Sequence, residues 1–224
     1  MYRPYSYSRL NTYKTCNRKF KYHYIDKAPT SKTDVSALLK GGAVHSILEH
    51  YPEPSTHKLA PKHQHIADKF LRTNLAQKYI FRESTREFSF GLTADLQPCG
   101  YSDKIAMFRG SVDYTCIVDG ILHLIDWKTG KLKEERFQDY NQLMFYGIYF
   151  FQKYSKIDTI KISYVYIEHE NAENSLILER KYLMNYTNEL LELIEKVESD
   201  SSFEKFPSKL CDWCEYQSHC TSDI

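Results

Sequence analysis

The stretch Gly110-Ser111-Val112-Asp113-Tyr114-Thr115-Cys116-Ile117-Val118-Asp119-Gly120-Ile121-Leu122-His123-Leu124-Ile125-Asp126-Trp127-Lys128 decides how the rest of the chain is read. Two β-prone runs flank Asp119-Gly120, a dipeptide suited to the two positive φ angles of a two-residue hairpin turn. Opposed residues in such a hairpin sum to a constant, so Val118 faces Ile121, Cys116 faces His123, Tyr114 faces Ile125 and Asp113 faces Asp126. Like charges directly opposite one another destabilise a sheet. Lys128 shares a face with Asp126 and offsets part of the repulsion; a divalent cation between the carboxylates offsets more. The plainer alternative is a solvated strand face on which Lys128 makes a surface ion pair. Ile121, Leu122, Leu124, Ile125 and Trp127 argue against it, because they make the second strand apolar on both faces. A buried acid-acid-lysine cluster is costly without a use. The chemistry that suits it is metal-assisted hydrolysis of a phosphate ester, with the cation acidifying a water and the lysine orienting that water or offsetting charge on the phosphate.

Outward from the hairpin, 224 residues with 42% hydrophobic and 15% aromatic content fit one domain with a sizeable core. The longest apolar run, 143–151, is far too short for the roughly 20 residues that span a bilayer, and the first residues lack a secretory pattern. The expectation is a cytoplasmic protein in a reducing compartment, with no membrane partner. Periodicity predicts helices from Ser6 or Ser8 to about residue 24 with a break, over 35–50, 64–79 and 134–153, and over 183–199. Pro52, Pro54 and Pro61 mark a loop. Strands are expected from residue 86, over 105–108, 109–118, 121–127 and 160–168, and near 176–181. The fold class is α/β or α+β, a mixed sheet flanked by helices. Gln138, Gln142 and Tyr146 would form a polar stripe on an otherwise apolar helix, and Glu49 is an available partner for His45 one turn away.

Gly110-Ser111-Val112-Asp113 and Asp126-Trp127-Lys128-Thr129-Gly130 resemble the G-x-x-D and D-x-K-T-G strands of the PD-(D/E)XK nuclease superfamily, within it the RecB-type exonuclease branch that includes AddB and the CRISPR adaptation nucleases. Gly42-Ala43-Val44-His45 is similar to that branch's G-x-x-H helix, and Gln142-Leu143-Met144-Phe145-Tyr146 to its Q-x-x-x-Y helix; the order is right and nearly the whole chain is covered. The resemblance implies a restriction-endonuclease-like core. It implies Mg or Mn ligation by His45, Asp113, Asp126 and the Trp127 carbonyl, with Glu87 as a further candidate. Lys128 would position the water, and Gln142 and Tyr146 would complete the catalytic set.

Six cysteines occur, and Cys211, Cys214 and Cys220 read C-x2-C-x5-C. Three within ten residues of a cytosolic chain point to metal, and a tetrahedral site needs a fourth. Spacing alone leaves zinc and iron-sulfur open. By the resemblance, Cys16 in Cys16-Asn17-Arg18-Lys19-Phe20 supplies that fourth ligand and the group is a 4Fe-4S cluster. It would join residues 1–34 to 200–224 beside a nuclease core at 35–199, all within one domain. Cys99 and Cys116 have no partner spacing.

Residues 1–27 carry seven cations against Asp26, interleaved with Tyr and Phe. That mixture fits phosphate contact and base stacking, making Arg9, Lys14, Arg18 and Lys19 candidate DNA-binding residues. The competing reading is an amphipathic helix, since Tyr13, Cys16, Phe20 and Tyr24 recur at helical spacing. The expected function is a metal-dependent exonuclease on single-stranded DNA or duplex ends. No phosphate loop of the G-x-x-x-x-G-K-S/T type occurs, so a helicase or recombination protein would be a separate partner. The alternatives are a CRISPR adaptation nuclease trimming spacer precursors and a non-catalytic iron-sulfur accessory subunit that binds DNA ends. Polarity, strand preference and oligomeric state are not legible in these residues.

Overall fold

Asp119 and Gly120 take φ of 52° and 78°, as the hairpin reading requires. Val118 pairs with Ile121, Cys116 with His123 and Tyr114 with Ile125. The computed structural model containing this hairpin describes residues 4–31 and 35–222. Its strands are β1 (Tyr5–Ser6), β2 (Ser84–Leu92), β3 (Pro98–Cys99), β4 (Phe108–Val118), β5 (Ile121–Lys128), β6 (Thr159–Tyr166) and β7 (Glu173–Glu179). They form one mixed sheet in the order β3-β2-β4-β5-β6-β7, with β1 parallel to β4. The pairs β2-β4, β4-β5 and β6-β7 are antiparallel, and β5-β6 is parallel.

A parallel neighbour requires a crossover, and α6 (Asn141–Lys153) supplies it. All nine residues of the apolar run from Leu143 to Phe151 are buried, as expected of a helix that is apolar all round. The helix lies between the sheet and α7 (Leu183–Ser199), with α1 (Tyr7–Thr15) alongside. On the opposite face α3 (Ser36–His50), α4 (Ala60–Leu71) and α5 (Asn74–Tyr79) enclose a second core. Strand β5 serves both: Leu122 and Leu124 point to the α6 side, Ile125 and Trp127 to the α3 side. Near the N-terminus α2 (Asn17–Phe20) and a π-helical turn (Lys21–Ile25) follow α1, and α8 (Gln217–Ser222) lies near the C-terminus. The break expected in the first helix falls at Cys16, whose backbone is extended at φ −165°.

Several expectations need correcting. The helix placed at 64–79 begins earlier, at Ala60, because Pro61 fits a first helical turn. It is then interrupted before Thr73, whose hydroxyl accepts from the Ala76 N–H and starts α5. The helix placed at 134–153 begins at Asn141, since the charged run before it has no apolar face to bury. Gln138 therefore lies outside the helix, and its Oε1 accepts from the Tyr166 hydroxyl at 2.7 Å. Residues 105–107 form no strand of their own, and the last strand begins three residues earlier than expected, at Glu173.

The hairpin ladder stops one pair short of the predicted Asp113–Asp126 pair. Side chains two apart on a strand normally share a face, yet Val112 belongs to the α6-side core and Tyr114 to the α3-side core. Across the β2-β4 ladder the matching irregularity is Glu87, which sits between the pairs Arg86–Tyr114 and Phe88–Val112 with φ of 48°. The two strands thus switch faces together at Glu87 and Asp113. Beyond that point β2 still occupies one edge of β4, and β1 takes the edge that β5 has left. The fork between β4 and β5 is where the candidate site lies.

Candidate active site

Asp113 fills the fork by using its side chain where the ladder would have used backbone. Its Oδ2 accepts the Trp127 N–H at 2.8 Å. The Trp127 carbonyl accepts from His45 Nε2, also at 2.8 Å, so one peptide segment fixes both residues. Helix α3 brings His45 there by close approach: a Cβ on Gly41 would lie 3.3 Å from Thr129 Oγ1. Because Nε2 must carry the proton it gives to a carbonyl, the neutral ring presents a lone pair at Nδ1. That atom is 3.4 Å from Asp113 Oδ2. Burial holds the imidazole below its ordinary pKa, with Asp126 and the Trp127 carbonyl working the other way.

Glu87, turned inward by its left-handed backbone, completes the group. Ligand atoms of His45, Glu87 and Asp113 all lie within 4.8 Å of one another. Burial, with Glu49 and Asp126 nearby, pushes the Glu87 carboxyl up to about 7. Burial and then the charges of Asp126 and Glu87 hold Asp113 well above the carboxylate range, although the Trp127 N–H and Lys128 pull it down. One imidazole nitrogen and two carboxylates that repel one another make a donor set fit for a divalent cation that accepts oxygen and nitrogen ligands.

Asp126 lies beside this trio rather than within it. Its Oδ1 accepts from Gln142 Nε2 at 2.8 Å, and its Oδ2 is 2.6 Å from Lys128 Nζ. Burial pushes the Tyr146 hydroxyl pKa up, and Gln142 and the Ser111 backbone nearby work the other way. Gly110 makes room for that tyrosine, because a Cβ there would come within 2.7 Å of the Tyr146 ring. Of the expected polar stripe, Gln142 reaches Asp126 directly, and Tyr146 lies buried one turn further along α6. Glu49 does not pair with His45; it sits 3.6 Å from His50 Nδ1.

Two contributors escaped the sequence reading. Lys128 Nζ stands 4.8 Å from the centre of the Tyr164 ring, and Tyr164 is the register partner of Asp126 on β6. That register is set by the α6 crossover, not by a turn motif, so no local signal marks it. Asp139, just before α6, accepts from the Asn141 N–H at 2.9 Å through Oδ1 and from the Tyr7 hydroxyl at 2.9 Å through Oδ2, with Lys14 Nζ at 3.5 Å.

The candidate DNA-binding cations have partners within the chain. Arg9 donates to the Pro4 carbonyl and lies 4.5 Å from the Tyr24 ring centre, Lys14 pairs with Asp139, Lys19 pairs with Glu215 at 2.9 Å, and Arg18 lies 6.0 Å from the Tyr22 ring. Tyr5, Tyr13, Phe20 and Tyr22 are buried. Of the two readings of this segment, the amphipathic one accounts for its rings. At its end, Cys16 joins Cys211, Cys214 and Cys220 around one cavity of about 530 Å³. Burial pushes the Cys220 thiol up, and the other three sulfurs add to the effect. Cys116 is buried in the sheet.

Among solved structures, the chain is similar to a "Putative exonuclease" from Eubacterium rectale, at 14% identity and a TM-score of 0.57, covering 95% of this chain and 87% of that one. This likeness speaks to the fold. A second structure, SSO0001, aligns at 12% identity over 85% of this chain and 98% of its own, but its TM-score of 0.34 is too low to bear on the fold. No curated protein matches. The sequence profile of the PD-(D/E)XK nuclease superfamily matches residues 4–221, a span that includes the fork, the crossover helix and all four cavity cysteines. The chain belongs to the PD-(D/E)XK nuclease superfamily.

Proposed function

We propose that this nuclease is a metal-dependent deoxyribonuclease of the RecB-type branch, an exonuclease acting on single strands or duplex ends. The observation that carries the reading is the fork itself. The ligand atoms of His45, Glu87 and Asp113 converge within 4.8 Å of one another, and the Asp126–Lys128 pair stands alongside. Asp113, Asp126 and His45, with Glu87 and the Trp127 carbonyl as further donors, would hold Mg or Mn. Bound there, the ion supplies Lewis-acid polarisation of the phosphate and acidification of a water. Lys128 contributes a fixed positive charge, steadied by Asp126 and Tyr164, that can orient the water or offset charge on the phosphate oxygens. Gln142 keeps Asp126 in place, and the Trp127 peptide keeps Asp113 and His45 in place.

The same proposal assigns a 4Fe-4S cluster to Cys16, Cys211, Cys214 and Cys220. Zinc with four thiolates at about 2.3 Å requires sulfurs about 3.8 Å apart. Among the described residues, the group of three or more His, Cys, Asp or Glu within 4.8 Å is the one at the fork. The wider spacing around a cavity of about 530 Å³ favours a polynuclear cluster. Such a group would tie α1 to the C-terminal segment and lend the chain ends a stability that their few regular elements lack.

End-labelled single-stranded and duplex DNA, incubated with Mg or Mn, tests the catalytic half. Stepwise shortening is expected from the parent, and loss of about 100- to 1,000-fold in rate from Lys128→Ala, with background alone from Asp126→Ala. Activity untouched by both substitutions overturns the site assignment. Anaerobic purification with metal analysis tests the other half: about four irons per chain is expected, and stoichiometric zinc overturns it.

A further inference from the structure

We propose that residues 130–137, which join the two halves of the site, form a docking surface for an unpaired nucleic-acid strand, with Lys131 and Lys133 holding phosphates and Phe137 stacking a base. The inference deepens the nuclease reading and rests on it. Strand β5 ends at Lys128 and α6 begins at Asn141, so this connection starts beside Lys128 and ends beside Gln142, one residue of the candidate site at each end. Every residue from 130 to 137 is exposed. The segment is nonetheless anchored. Thr129 abuts α3 at Gly41, the Lys133 carbonyl accepts from Asn174 Nδ2 at 2.9 Å, and Gln138 is held by Tyr166.

Its chemistry is that of an unfilled binding surface. Phe137 is 65% exposed and Leu132 48% exposed. Arg136 stands 4.6 Å from the Phe137 ring centre and is itself tied to Glu134 at 2.8 Å, an arrangement that presents the ring instead of burying it. From Lys128 to Lys133 there are three lysines and no acid. Lys131 and Lys133 make no ion pair among the described residues, in contrast to Lys14 and Lys19. Glu134 is paired with Arg136, so Glu135 is the one unpaired acid within residues 130–137. Free cations beside a water-facing ring match a strand whose phosphates and base faces are both accessible. An intact duplex hides its base faces within the stack and offers such a ring little.

Fluorescence anisotropy of a labelled single-stranded oligonucleotide tests this, with Ca in place of Mg to suppress hydrolysis and titrations repeated over a range of salt. Phe137→Ala is expected to raise the single-strand Kd by about 5- to 150-fold, the range of one lost stacking contact. Lys131→Ala with Lys133→Ala should weaken binding and flatten the salt slope by about 1.4, or about 0.7 per lost phosphate contact. Blunt duplex should respond much less to Phe137→Ala. Mn-dependent thermal stabilisation should match the parent in both variants, certifying the fold and the metal site. Unchanged single-strand affinity and salt slope overturn the inference, as does an equal loss for duplex. A parent that binds the strand but hydrolyses no DNA with Mg or Mn would instead sink the nuclease reading and leave this binding result standing on its own.

Discussion

Two carboxylates in the same sheet, Asp113 and Glu173, are both withdrawn from water, and they have opposite fates. Glu173 on β7 accepts from the Tyr79 hydroxyl at 2.8 Å and Ser163 Oγ at 2.6 Å, with Lys161 Nζ at 2.8 Å and Lys78 Nζ at 3.8 Å. Burial alone would raise its pKa, but Lys161, Ser163 and Tyr79 pull it below the usual carboxylate range. Asp113 has one backbone donor and faces two further acids, and its carboxyl is driven upward. The fold supplied Glu173 with everything a buried charge needs and left Asp113 in deficit. A deficit of positive charge, more than burial as such, separates a site that awaits a ligand from a structural ion pair.

That contrast yields the largest expected effect. Glu173→Ala strands Lys161 and three polar neighbours, a loss of about 3–5 kcal/mol, equivalent to a Tm drop of about 6–20 °C for a chain of this size. Asp113→Asn keeps an acceptor for the Trp127 N–H and removes a charge crowded by Glu87 and Asp126. In chelator its Tm should equal or exceed that of the parent while nuclease activity disappears. Calorimetry on both variants checks this. An Asp113→Asn protein destabilised as much as Glu173→Ala would show the fork to be a structural ion cluster.

How much of this was legible in the sequence follows the range of the interactions. The hairpin register was legible because a two-residue turn fixes it locally, and the α7 boundaries because its periodic apolar face begins and ends cleanly. Asp113 and Asp126 were identified as neighbours, but not the way they meet. The face switch at Glu87 and Asp113 depends on the left-handed backbone of a glutamate, which no propensity announces. Tyr164 beneath Lys128 and the Glu173 cluster depend on a parallel register reached through α6, and such long-range pairing leaves no local trace. The basic, aromatic N-terminal segment was legible as a helix with an apolar face. Its cations gave no hint that Asp139 and Glu215, more than a hundred residues away, would claim Lys14 and Lys19.

His123 sharpens the comparison through pH. It is 4% exposed on β5, next to the Glu173 cluster, and burial, with Lys161 and Lys78, pushes its pKa down to about 4. The folded value lies below the unfolded one, so this residue's contribution to stability is fully present above about pH 6.5 and is lost as pH falls toward 4, up to about 3 kcal/mol in all. Glu87 has the opposite sign. Its folded value of about 7 lies above the ordinary one, so its contribution is present below about 4.5 and lost as pH rises through 7. Thermal melts from pH 4 to 8 in chelator should show His123→Phe losing less stability than the parent on the acid side. Adding Mn should leave that difference intact and remove the loss on the neutral side. Superimposable acid limbs for parent and variant would show that His123 is not the group that titrates.

The smallest effect concerns how the fork is braced from outside. Asp139 receives the Tyr7 hydroxyl and Lys14 on one oxygen and the Asn141 N–H on the other, and Gln142, the next residue, donates to Asp126. Helix α1 thereby fixes the first turn of α6, and through it Asp126. Tyr7→Phe removes a single hydrogen bond to a charged acceptor, about 1.5 kcal/mol. If all of that reached Gln142, kcat would fall by no more than about tenfold, so a loss of a few-fold with KM unchanged is expected. Lys14→Met should do less, because its ion pair is longer and about two-fifths exposed on each side. Steady-state kinetics with a single-stranded substrate checks both. A rise in KM with kcat unchanged would place Tyr7 and Lys14 in substrate binding, where the basic character of their segment first pointed, and would remove Asp139 from the support of the site.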